Sequence, residues 1–113
     1  MSLKKDYLIR LDIQHNKHNT VMKFVELDIN TSTFMIEITR DNIIIDLTDI
    51  KGTLYVLDPK GEVHEVLAEN KLNYFYIELP SNLTNELGTY KGAFVLTKDN
   101  KRTVLGCISY EIV

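Results

Sequence analysis

The stretch "NELGTYKGAF", residues 85–94, decides how the rest of the chain is read. A turn ending in Gly88 runs into a strand whose first aromatic residue is Tyr90, and Gly92 follows two positions later. Outward from this point the same period of two recurs. In "DYLIRLDI" (6–13) Tyr7, Ile9, Leu11 and Ile13 fall on one face, with Leu8, Arg10 and Asp12 on the other. No segment sustains the i, i+3, i+4, i+7 spacing of an amphipathic helix. The chain reads as all-β.

Further strands are predicted over 21–28, 33–39, 52–58, 62–68, 72–80, 89–97 and 103–113, with 42–48 as a short edge or crossover segment. The first two of these, joined through "INTS", read as a hairpin. In "DPKG" (58–61) Asp, Pro and Gly stand where a type I turn favours them, because the proline ring presets φ near −65°. "KDNKR" (98–102) is a polar connector of hairpin length. Pro80 stops its strand for want of an N–H, and "SNLTNEL" (81–87) allows one helical turn with Ser81 as N-cap before Gly88. About eight strands with regular turn signals and no internal repeat predict a sandwich or barrel rather than a solenoid.

The opening stretch then gains a specific meaning. In immunoglobulin-type sandwiches a tyrosine near the start of the sixth strand, two residues before a cysteine, returns its hydroxyl to upstream backbone and fixes the crossing between sheets. Tyr90 has that offset from Gly92, and Gly88 closes the preceding connection. The expectation is an Ig-like antiparallel β-sandwich without a disulfide, with Tyr90, Gly88 and Gly92 as its structural corner. The Tyr90 hydroxyl is expected on backbone between Asn82 and Leu87. Gly92 is expected to let the facing sheet approach. Phe34, Ile36, Leu54, Tyr76, Phe94 and Ile108 are the expected inter-sheet core.

At 113 residues the chain holds one core, so residues 1–113 are read as one domain. Its blunt stop after a strand reads as the edge of a domain cut from a longer protein. A net charge of −3 offers no surplus of cations for phosphates or an anionic surface, which argues against nucleic acid and membrane as partners. No apolar run approaches the roughly 18 residues of a membrane span. Cys107 is the single cysteine, so no intrachain disulfide forms, and it reads as a small buried hydrophobe.

Residues able to carry chemistry are scattered. His15 and His18 lack a third ligand in sequence and read as turn residues, and His64 reads as an exposed, pair-forming histidine. Asp41, Asp46 and Asp49 lack the Gly-centred spacing of a calcium loop and read as turn carboxylates. No nucleophile elbow or phosphate-binding loop occurs. No catalytic residue, cofactor or metal is expected, and the chain reads as a non-enzyme. Tyr74 and Tyr76 fall on one face and are a candidate binding platform for sugar or protein, although an inter-sheet role weighs more.

The order of "FVELDINTSTFMIEI", "IDLTD", "LYVLDPKGEV", "YIELPSNLTNELGTYKGAFVLTKD" and "CISYEIV" resembles the N-terminal domain of the phage baseplate upper protein family, over about Asp6 to Val113. The resemblance implies an Ig-like sandwich that docks the host-recognition apparatus onto the tail of a phage or prophage of Gram-positive bacteria. It implies tail and baseplate proteins as partners, a homo-oligomer in the full-length protein, assembly into the virion, and synthesis in the bacterial cytoplasm. The other reading is a carbohydrate-binding sandwich using the Tyr74 and Tyr76 face.

Overall fold

The structure, a computed structural model, describes residues 6–13, 21–27 and 33–112. His15 and His18 lie outside these. Ten strands occur among the described residues: β1 (Asp6–Asp12), β2 (Val21–Leu27), β3 (Thr33–Arg40), β4 (Ile43–Ile44), β5 (Lys51–Leu57), β6 (Val63–Leu67), β7 (Glu69–Asn70), β8 (Phe75–Glu78), β9 (Gly88–Lys98) and β10 (Lys101–Ile112). β4 and β7 have two residues each, which leaves eight of ordinary length. One sheet, A, runs β1-β3-β8-β7 with β4 also on β3; the other, B, runs β2-β10-β9-β5-β6. The two pack face to face as an all-β sandwich with no disulfide, Cys107 being free.

Most pairings are antiparallel, but β1 pairs β3 and β2 pairs β10 in parallel. The hairpin expected from 21–28 and 33–39 therefore does not form: β2 belongs to sheet B and β3 to sheet A. Alternation tells which face of a strand is buried, not which edge it joins.

Turn chemistry sets the hairpins that do form. Asp41 and Asn42 have φ of 51° and 66° between β3 and β4, and Asp99 and Asn100 have the same values between β9 and β10. Positive φ at both central residues is the two-residue turn whose twist matches the strands it joins. Between β5 and β6 the Gly61 amide donates to the Asp58 carbonyl, and Gly61 takes φ of 91°. Among the described residues the one helical feature is a 3-10 turn at Ser81–Leu83, and Pro80 rather than Ser81 stands at its N-cap, with no side-chain bond.

The core lies between the sheets. Ile9, Leu11, Phe34, Ile36, Ile38, Phe75 and Ile77 from sheet A meet Leu54, Val56, Tyr90, Phe94, Ile108 and Tyr110 from sheet B. Each such side chain taken fully from water contributes about 1.5–3 kcal/mol. Phe75 and Phe94 meet edge to face across the gap at 5.4 Å. Tyr76 is the exception among the expected core residues: it is half-buried on the outer face, and Phe75 and Ile77 point inward instead. The run Tyr74-Phe75-Tyr76 is aromatic at every position, so it carries no phase of its own. Cys107 likewise lies on the outer face of β10, half-buried, because the inward positions are taken by Ile108 and Tyr110.

Gly92 makes a close approach, but to its own sheet. A Cβ there would run into the Ile108 carbonyl oxygen of β10 and lie 3.1 Å from Leu54 Cδ1. It is Gly52 that admits the facing sheet, since a Cβ on it would lie 3.0 Å from the Phe75 ring of sheet A, as well as 2.7 Å from Phe94 Cζ of its own sheet. Across the chain crossing, the Asn70 side chain donates to the Leu47 and Ile50 carbonyls at 2.7 and 2.9 Å and accepts from the Leu72 amide at 2.7 Å. It thereby ties the entry of β5 to the entry of β8.

Gly52→Ala is expected to cost about 1–3 kcal/mol by overpacking two aromatic rings, and Gly92→Ala at least as much, because a backbone carbonyl cannot turn aside. Asn70→Ala is expected to cost about 2 kcal/mol through the carbonyls it leaves unmet. Urea midpoints of the three variants check both statements.

Candidate functional site

The end of the sandwich where β8 hands over to β9 gathers a linked set of polar contacts. After Pro80 the chain makes its 3-10 turn, buries Leu83 completely and reaches Gly88, whose φ of 132° favours glycine. A Cβ at Gly88 would lie 3.0 Å from Pro59 Cγ, so this glycine seats the corner against the β5–β6 turn. The Tyr90 hydroxyl then donates to the Glu86 carbonyl at 3.1 Å.

A second tyrosine, which the sequence reading passed over, makes the deeper tie. The Tyr110 hydroxyl donates to the Leu83 carbonyl at 2.8 Å in a buried position. Its ring stacks on Tyr90 at 4.8 Å with planes 8° apart, and it meets Phe34 of sheet A at 6.0 Å. Burial pushes both phenols above their ordinary range, Tyr110 far more than Tyr90. The available signal was the inward phase that Tyr110 shares with Ile108 and Ile112: a buried tyrosine needs a partner for its O–H.

Beside this corner the turn residue Asp58 organises a small polar cavity of about 240 Å³, lined by Lys60, Glu62, His64, Asn82 and Glu86 among others. Asp58 Oδ1 accepts from the amides of Lys60 and Glu62, both at 2.9 Å. Its Oδ2 lies 2.8 Å from His64 Nε2. The His64 bond, and then the backbone amides, hold the Asp58 carboxyl below its ordinary value. His64 is thus paired but only a quarter exposed, less open than its sequence context implied. Lys60 reaches across to Glu86 at 2.9 Å. Asp46 accepts the amide and hydroxyl of Thr48 as a turn carboxylate, and Asp41 and Asp49 sit at positive φ.

Two outer faces carry apolar side chains. On sheet A, Leu8, Met35 and Tyr76 stand in register across β1, β3 and β8, with Leu8 60% exposed. Tyr74 precedes β8 in a bend and is also half-buried. On sheet B, a shallow depression is formed by Tyr55, Leu57, Val63, Ala93 and Cys107. Arg102 stands over the Tyr55 ring at 5.6 Å and donates to its hydroxyl at 2.8 Å. Strand β6 is an edge of this sheet, and its Val63 and Leu67 are 69% and 73% exposed.

Comparison with known proteins gives a fold likeness. The chain is similar to the N-terminal domain of phage TP901-1 ORF48, with a TM-score of 0.59 at 10% identity, covering 95% of this chain and 97% of that one. At this identity the likeness is one of fold. No family model matches the chain, and no curated protein matches it.

Tyr110→Phe strands the buried Leu83 carbonyl and is expected to cost about 1–3 kcal/mol; Tyr90→Phe is expected to cost about 1 kcal/mol. Because both folded-state pKa values lie above the ordinary 10.0, the two phenols' contribution is complete below about pH 10 and falls away at higher pH, where Tyr90 and Tyr110 ionise more readily in the unfolded chain than in the folded one. Urea melts at pH 8 and pH 11 check this: the loss on going to pH 11 should shrink in the Tyr90→Phe/Tyr110→Phe double variant.

Proposed function

We propose that this chain is a non-catalytic structural domain of a phage tail baseplate, an adaptor that docks the host-recognition apparatus onto the tail. The observation that carries the reading is the fold likeness to a phage N-terminal domain over nearly the full length of both chains. The order of sequence features that resembles the baseplate upper protein family points the same way. The working surface we assign is the outer face of sheet B with its β6 edge. An edge strand offers a row of unpaired N–H and C=O groups to an incoming strand, and exposed apolar residues beside it add contact area. Val63, Leu67 and the Tyr55 depression supply that area. The partner is a protein of the tail ring, and the domain acts in the virion as the N-terminal part of a longer, oligomeric protein. Nucleic acid and membrane have no part in this reading.

Size-exclusion chromatography with light scattering, on the domain alone and mixed with the candidate ring protein, tests it. A shift to a complex is expected, and Leu67→Lys should abolish it while leaving the melting temperature unchanged, since Leu67 is mostly exposed. Absence of any shift, together with a saturating titration by cell-wall sugars that Tyr76→Ala removes, would replace the adaptor reading with a carbohydrate-binding one.

A further inference from the structure

The geometry points to a divalent transition-metal site of the zinc class at the β5–β6 turn, ligated by Asp58, Glu62 and His64. The three side chains offer one imidazole nitrogen and two carboxylate oxygens, all within 4.8 Å of one another. Tetrahedral zinc sets its ligand atoms about 3.3 Å apart, so the 2.8 Å between His64 Nε2 and Asp58 Oδ2 needs only a small opening to admit an ion.

Preorganisation favours the site. Two backbone amides hold Asp58 Oδ1 and leave Oδ2 facing the histidine. His64 is half-buried on the strand that leaves the turn, and Glu62, exposed at the end of the turn, is free to swing in. The nitrogen ligand and the low ligand count distinguish the site from calcium and magnesium sites, which take six or more oxygens or retain most of their water. The charges match as well: two carboxylates, Asp58 and Glu62, share the cavity with Lys60, whose ammonium is drawn chiefly to Glu86 and only more weakly to them. On binding, the Nε2 lone pair goes to the metal; the proton held between Nε2 and Oδ2 moves to Nδ1 or is released to solvent. With three protein ligands, the fourth position belongs to water or to a group from a docked partner. The site would clamp the β5–β6 turn beside the tyrosine corner, and it stands apart from the docking reading above.

Calorimetric titration of the domain with zinc chloride, paired with cobalt(II) absorption, tests the assignment. One equivalent of zinc is expected to bind, with cobalt giving the visible bands of a tetrahedral site. Glu62→Gln and His64→Gln should each weaken zinc at least tenfold, Glu62→Gln with no change in the metal-free melting temperature because Glu62 is exposed. The His15→Gln/His18→Gln variant should bind as the parent does. No zinc binding by the parent, unchanged binding in both ligand variants, loss of binding in the His15/His18 variant, or calcium binding as tight as zinc would each overturn the proposal.

Discussion

The fold turns on a buried hydrogen bond: the Tyr110 hydroxyl on the Leu83 carbonyl. Between β8 and β9 the chain leaves sheet A and enters sheet B, and a crossing of this kind exposes backbone that belongs to neither ladder. Leu83 is fully buried there, so its carbonyl needs a partner that water cannot provide. Tyr110 supplies one from the last strand and is itself held by the stacked ring of Tyr90, whose hydroxyl takes the Glu86 carbonyl three residues on. Two phenols thus fasten one connection at both ends, doing by hydrogen bonding and stacking what a disulfide does by covalent bond in other sandwiches.

The same corner positions the Asp58–His64 cluster at this end of the molecule. Gly88 rests on Pro59, which brings the Asp58 turn against the 3-10 segment and lets Lys60 reach Glu86. The cavity around His64 exists because the β5–β6 hairpin and the crossing are seated together. The apolar outer face of sheet B lies at right angles to this logic. Apart from the Arg102–Tyr55 contact that spans it, this face exposes apolar side chains such as Val63 and Leu67 to solvent.

Much of this was legible in the sequence. Strand alternation gave the sandwich and five of six core positions, Phe34, Ile36, Leu54, Phe94 and Ile108, because an amphipathic strand has one way to bury itself. The "DPKG" turn and the Tyr90 offset were readable for local reasons. What escaped depends on tertiary choice. The sheet that β2 joins is set by its neighbours, since its own pattern serves either sheet. Tyr76 was misphased because three consecutive aromatics carry no alternation, although Ile77 and Leu79 on the other phase would have settled it. Gly92 was assigned to the wrong contact, a neighbouring strand rather than the facing sheet, because sequence does not reveal that β9 and β10 close in at Ile108. The Asp58, Glu62 and His64 grouping is invisible without the turn that folds it.

The most direct test of the tyrosine account is native-state hydrogen exchange at the amides of Leu83 and Thr84, which bond to Pro80 and Ser81 within the 3-10 turn. In Tyr110→Phe the account predicts that these two amides lose protection by more than the amides at the centre of β9 do, because the crossing opens locally while the sheets stay packed. Equal loss at both places, or none at Leu83 and Thr84, would contradict it.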